Sequence, residues 1–292
     1  MEEFSAVIVT YNPDVEHVKS TVYNLEKQGF LIIIIDNGSD NYLELKKLNS
    51  ESSLVYGLFE NKGIAFALNE GMRKADEYGS KWVLSLDQDS VPAKNMLDEY
   101  RKYIDLPNVG ALCPRVMRKG KNSLKSNEQL NIEQFDAIDI CPTAGFFLSV
   151  DSWKQTGGYD SFMFIDYVDY DMCMRLKRID KKVYRISTTY VLQELGRIQY
   201  NKLIYKMGKL LHSNKLCNFS ISYNHSPIRN YYFVRNGLYY INKYSDLLDV
   251  KYEKKKMIKW ELKKIFHEKK RINQLKAIAA GIKDAKRMMK DE

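Results

Sequence analysis

Short apolar runs alternate with helical periodicities through the first 90 residues. Phe4–Thr10, Phe30–Ile35, Leu54–Phe59 and Trp82–Leu86 are rich in β-branched, aromatic and other apolar residues, as strands covered on both faces must be. After the first run, Val15, Val18, Val22 and Leu25 recur at helical spacing, with Asp14 placed to cap the helix and Gly29 to close it. After the third, Ala65, Leu68, Met72 and Ala75 repeat the pattern and Gly79 ends it. Such alternation with short connections predicts a parallel sheet with helices on both sides. Polar groups gather at each strand end: Thr10 and Tyr11, Asp36 and Asn37, Asn61, then Asp87 and Asp89. Right-handed crossovers put those ends on one rim, so the clusters are expected to converge where open α/β sheets bind ligands.

The second half is less regular. Asn108–Cys113 reads as a strand, Pro114–Asp139 as a polar insertion, and Thr143–Ser149 as a strand. Near the start of that strand, Gly145 is a place where backbone can approach a ligand closely. Val168–Arg178 should be helical, with Asp166 and Asp169 at its amino end, where an acid is favoured by the helix dipole alone. Lys182–Ile186 and Thr189–Leu192 are candidate late strands. From Tyr252 to Lys290 there is no proline, and Ile258, Leu262, Ile265, Phe266, Ile272, Leu275, Ala279 and Ile282 recur at helical spacing opposite a lysine-rich face. The expected division is a main domain over 1–245 and a basic helical tail over 246–292.

Charge sharpens that division. Residues 251–292 hold 15 Lys or Arg and 6 Asp or Glu, and the rest of the chain is neutral, so the tail is the expected electrostatic contact. With Trp260 as an interfacial anchor it suits an anionic membrane surface. A helix packed on the main domain, or on a partner subunit of a homo-oligomer, would show the same periodicity. No nucleic-acid-binding motif is visible, so nucleic acid is not an expected partner. The four cysteines form no C-x-x-C pair, as in a reduced compartment. The start of the chain lacks a signal-peptide pattern and no apolar run is long enough to span a bilayer, which predicts a cytoplasmic or peripheral inner-membrane protein. Neither G-x-G-x-x-G nor G-x-x-x-x-G-K occurs, so dinucleotide and P-loop chemistry are not signalled.

The candidate chemistry centres on Asp87-Gln88-Asp89. Hard carboxylate oxygens suit Mg²⁺ or Mn²⁺ holding a diphosphate, although an Asp-x-Asp turn is common without any metal. The order Val-Ile-Val-Thr-Tyr-Asn, Ile-Asp-Asn-Gly-Ser, Asn-Lys-Gly-Ile-Ala, Leu-Asp-Gln-Asp-Ser, Thr-Ala-Gly and Phe-Ile-Asp-Tyr-Val-Asp resembles the family-2 glycosyltransferases of the GT-A fold. It is most similar to their bacterial rhamnosyltransferase-type branch, which builds surface polysaccharides such as capsule or O-antigen.

That resemblance implies an α/β fold with a mostly parallel central sheet. It implies that Thr10, Tyr11, Asp36 and Asn61 bind the nucleotide, that Asp87 faces the ribose or diphosphate, and that Asp89 ligates the divalent cation. Asp169 would be the catalytic base, with Gly145, Asp166, His225 and Arg229 near the acceptor or diphosphate. The implied reaction is inverting transfer of one sugar, rhamnose in that branch, from a dTDP- or UDP-linked donor to a polyprenyl-diphosphate-linked saccharide. An acceptor hydroxyl needs a base, and a departing diphosphate needs a cation; the chain offers a carboxylate for each. Two departures stand out. Gln193 occupies the place of a His that completes the metal shell in the branch, and Thr143-Ala144-Gly145 replaces Thr-Ser-Gly. The alternatives are a sugar nucleotidyltransferase, whose Gly-rich phosphate loop is missing here, and an inactive protein of this fold that recruits partners through its tail.

Overall fold

The computed structural model describes residues 3–118, 134–193, 199–222, 226–267 and 271–291. The expected alternation opens the chain: β1 (Phe4–Thr10), α1 (Val15–Gln28), β2 (Leu31–Asp36), the short α2 (Tyr42–Leu45), β3 (Ser53–Gly57), α3 (Ile64–Glu77) and β4 (Trp82–Asp87). Asp14 caps α1 by accepting from the N–H groups of Glu16 and His17, and Gly29 ends it in the left-handed region, at φ 87°. β2 is buried along its whole length. There follow β5 (Ser90–Pro92), α4 (Met96–Arg101), β6 (Val109–Arg118), β7 (Phe135–Ile138), β8 (Phe146–Ser149), α5 (Val150–Gln155), α6 (Val168–Arg178) and β9 (Lys182–Gln193).

The strands form one sheet in the order β3-β2-β1-β4-β8-β6-β9-β5, with β7 also paired to β9. The first four are mutually parallel. Beyond β4 the sheet is mixed: β8 runs antiparallel to β4 and β6, while β6 and β9 are parallel. The two late strands expected from sequence are the halves of one strand, β9. Its pairing to β6 shifts register between Pro114 and Arg115, a bulge-like irregularity of the kind that bends a strand. One end of β9 pairs with β7 and the other with β5. Phe147 of β8 sits at the centre of the core, stacked on Phe4, Trp82 and Tyr100 and edge-on to Phe30.

The chain divides into two compact units, residues 1–164 with 168–194, and residues 165–167 with 195–292. The second holds β10 (Gln199–Tyr200), α7 (Lys202–Leu210), α8 (Asn214–Phe219), β11 (Ile221–Ser222), α9 (Pro227–Lys243), α10 (Val250–His267) and α11 (Arg271–Asp291). The tail is therefore two helices, and both pack on α9. Asn230 donates to Gln274 (2.6 Å) and Tyr231 to Asp284 (2.7 Å), while Met257, Glu261, Gln274 and Ala285 are buried. Ile258, Leu262, Leu275 and Ile282, which mark these helices in the sequence, face outward. The expected boundary at 245/246 falls in the turn between α9 and α10, inside this second unit.

Candidate active site

Parallel register sets Thr10 of β1 beside Asp36 of β2, and Val9 beside Asp87 of β4, so three polar strand ends are neighbours. Asp36 is buried. One of its oxygens accepts from the hydroxyls of Thr10 (3.1 Å) and Ser39, the other from the N–H groups of Gly38 (3.2 Å) and Ser39 (2.9 Å). A carboxylate has about four acceptor positions, and here all are filled. Asp36 thus shapes the loop that follows β2.

Asn37 links that loop to the end of β3: its amide donates to Asn61 (3.0 Å) and its carbonyl accepts from the Lys62 N–H (2.9 Å). Tyr11, with an exposed side chain, donates its backbone N–H to the Gln88 carbonyl at 2.7 Å. Because β5 pairs with the end of β9, Ser90 lies opposite Gln193, and the Gln193 amide donates to Asp87 at 3.1 Å. Hydrogen bonds thus tie all four strand ends into one rim, as the topology requires. Gln88 and Ser39 belong to this rim but were not among the expected site residues; their only sequence signal is their place inside the Asp-Gln-Asp and Asp-Asn-Gly-Ser motifs.

Asp87 is partly buried and Asp89 exposed. Among the described residues no three His, Cys, Asp or Glu side chains are grouped so as to hold a metal by themselves. The two carboxylates fit a hard divalent cation only where further oxygens, such as those of a diphosphate, complete its shell. Gln193 turns its amide N–H to Asp87, so it orients that carboxylate.

Gly145 lies at φ +85°. The close approach expected there is made to Pro114, whose ring an added Cβ would meet at 2.5 Å. Its N–H is given to the Ser85 carbonyl (2.8 Å) and its own carbonyl accepts from the buried Tyr100 hydroxyl (2.7 Å), which leaves no free backbone donor for a ligand.

Asp169 occupies the first turn of α6, partly exposed, and accepts from the Tyr170 N–H at 2.9 Å. Burial pushes the nearby Cys141 and Cys173 thiols and the Tyr159 phenol up, and the Asp169 charge adds to each shift. Such buried thiols are inert. Arg175 fastens α6 by reaching Asp171 (2.5 Å), Asp160 (3.0 Å) and the Thr156 carbonyl (3.1 Å).

In the second unit Asp166 and Tyr167 are consecutive non-glycine residues at φ 63° and 65°, a conformation that persists only when its surroundings enforce it. Arg229 pairs with Asp166 at 3.0 Å, and Asn236 donates to the carbonyls of Ile165 (2.7 Å) and Asp166 (3.2 Å). The Tyr167 ring packs on Phe233 and Tyr240. Asp166 and Arg229 are thus brought together as an ion pair. His225 lies outside the described residues.

The rim carboxylates Asp36 and Asp87 thus end the two parallel strands that flank β1 in a mixed α/β sheet. The profile of Glycosyl transferase family 2 matches residues 5–165, which contain all four strand ends, and the chain belongs to that family. It is 27% identical over 250 residues to the dTDP-rhamnosyl transferase RfbF of Shigella flexneri, spanning 82% of this chain and 79% of that protein. Among solved structures it resembles GalNAc-T7 with UDP, GalNAc and Mn²⁺, at a TM-score of 0.56 and 15% identity over 66% of this chain. The match spans 44% of that larger protein, and the likeness is one of fold.

Proposed function

We propose that the protein moves rhamnose from dTDP-rhamnose, with inversion, onto a lipid-linked saccharide in bacterial surface polysaccharide synthesis. The observation that carries this reading is the hydrogen-bonded rim of Thr10, Asp36, Asn61 and Asp87, in a chain similar to a dTDP-rhamnosyl transferase. Thr10, Tyr11, Asn61 and the loop held by Asp36 take the nucleotide, and Asp87 and Asp89 face the diphosphate. A divalent cation held there supplies positive charge to the departing dTDP. Asp169 takes the acceptor's proton as the acceptor oxygen bonds to the anomeric carbon and the bond from that carbon to dTDP breaks. The lysine-rich outer faces of α10 and α11 keep the enzyme against an anionic membrane, where such an acceptor resides.

The test is a donor panel. The full chain is incubated with a synthetic polyprenyl-diphosphate saccharide, Mg²⁺ or Mn²⁺, and dTDP-rhamnose, dTDP-glucose or UDP-sugars. Expected is dTDP release coupled to a lengthened saccharide with dTDP-rhamnose alone, lost on adding EDTA. Preference for a UDP-sugar would overturn the donor, an EDTA-insensitive rate the cation, and no product with any donor the transfer itself.

A further inference from the structure

The helical pair α7–α8 carries an apolar face that the reading above does not use. Leu203, Met207 and Leu210 recur one and two turns apart on α7, and Leu211 follows; their relative exposures are 77%, 54%, 79% and 61%. The helix packs on α8 through Gly208, whose Cβ position lies 2.8 Å from Cys217, so these four side chains point away from that contact. An exposed cluster of large aliphatic residues marks an interaction surface. Its borders are charged with one sign. Residues 201–219 contain Lys202, Lys206, Lys209 and Lys215 and no acidic residue, and among the described residues none of these lysines is in an ion pair.

We infer that α7 lies in the plane of an anionic membrane, with Leu203, Met207, Leu210 and Leu211 below the headgroups and its lysines among them. A helix of nine residues is about 14 Å long, far short of a span, and among the described residues no helix is long and apolar enough to cross a membrane. An apolar strip flanked by lysine is the pattern of an interfacial helix. Self-association fits less well: a two-fold contact of α7 with its own copy would bring lysine against lysine, with no acid to relieve it. These residues belong to a different helix from the lysine-rich faces of α10 and α11, and the inference does not rest on the assigned reaction.

The test uses the full chain and vesicles of phosphatidylcholine with or without phosphatidylglycerol, read by co-sedimentation. Wild type should bind the anionic vesicles and not the neutral ones, since each lysine near such a surface is worth about fivefold in partition. Leu203→Ser with Leu210→Ser should lower that partition by more than about tenfold, and Lys206→Glu with Lys209→Glu should lower it further as salt falls. Both pairs are exposed, so their thermal melts should match wild type. Ile258→Ser with Leu262→Ser on α10 serves as comparison and separates failure of α7 from failure of the tail. Equal partition of wild type and the α7 variants would overturn the inference, as would absence of wild-type binding. A change from dimer to monomer in light scattering with unchanged partition would overturn it in favour of self-association.

Discussion

Replacing Asp36 separates a hydrogen-bonding role from a charge role at the centre of the rim. Its two oxygens face different donors: hydroxyls of Thr10 and Ser39 on one side, backbone N–H groups of Gly38 and Ser39 on the other. In Asp36→Asn the amide nitrogen can take the hydroxyl side, because both hydroxyls rotate to accept, and the carbonyl keeps the backbone donors. Only the charge-assisted part is lost, about 1–2 kcal/mol. Asp36→Ala strands the backbone donors of the loop as well, at about 1–3 kcal/mol each, for a total of about 3–5 kcal/mol. Urea unfolding followed by circular dichroism measures both, and calorimetry with dTDP measures the consequence for the loop. The alanine variant should be less stable than the asparagine variant by about 2 kcal/mol or more and should bind dTDP more weakly. Equal stabilities, or an alanine variant within 1 kcal/mol of wild type, roughly one hydrogen bond, would refute the four-donor arrangement.

Gly71→Ala on α3 would press a methyl into the side chain of Val7 on β1; overpacking of about 1–3 kcal/mol should outweigh the gain of about 1 kcal/mol in helix propensity, so an unchanged or raised melting temperature would contradict that close packing. Gln193→Ala should weaken dTDP binding in Mg²⁺ several-fold while leaving the melt near wild type, because it removes one hydrogen bond that orients Asp87 without opening the core; equal affinity would remove Gln193 as a positioning residue. Burial pushes the Glu261 carboxyl above its usual 4.5, against the pull of Lys264. A folded state that binds this proton more tightly than the unfolded one loses stability as pH rises from 4.5 through the raised value. Glu261→Gln lacks that slope, so its melting temperature should gain on wild type across that interval, and parallel curves would exclude it.

The parallel half of the sheet was readable because each of its elements is decided locally. A run such as Leu31–Asp36 can only be a covered strand, and Asp14 and Gly29 bracket α1 through their own backbone geometry. What escaped was decided by partners distant in sequence. β5 and β7 are short and owe their conformation to opposite ends of β9, which is why Asp87 meets a residue 106 positions away. The tail's periodicity correctly gave helix, but pattern alone does not say which face packs: Glu261 and Gln274 point inward and Ile258 and Leu262 outward. The rim followed from topology, whereas the saturation of Asp36, the enclosure of Gly145 and the linking role of Gln88 depend on distances that spacing does not encode.

Single-turnover transfer by Asp169→Asn, measured beside its affinity for dTDP, tests the central claim most directly. The variant keeps the size of the side chain and its place in the first turn of α6, but it has no basic carboxylate. If Asp169 removes the acceptor proton from a sugar bound at the rim, dTDP affinity stays near wild type and rhamnose transfer slows by about 10²–10⁴-fold. Transfer at the wild-type rate would contradict the account.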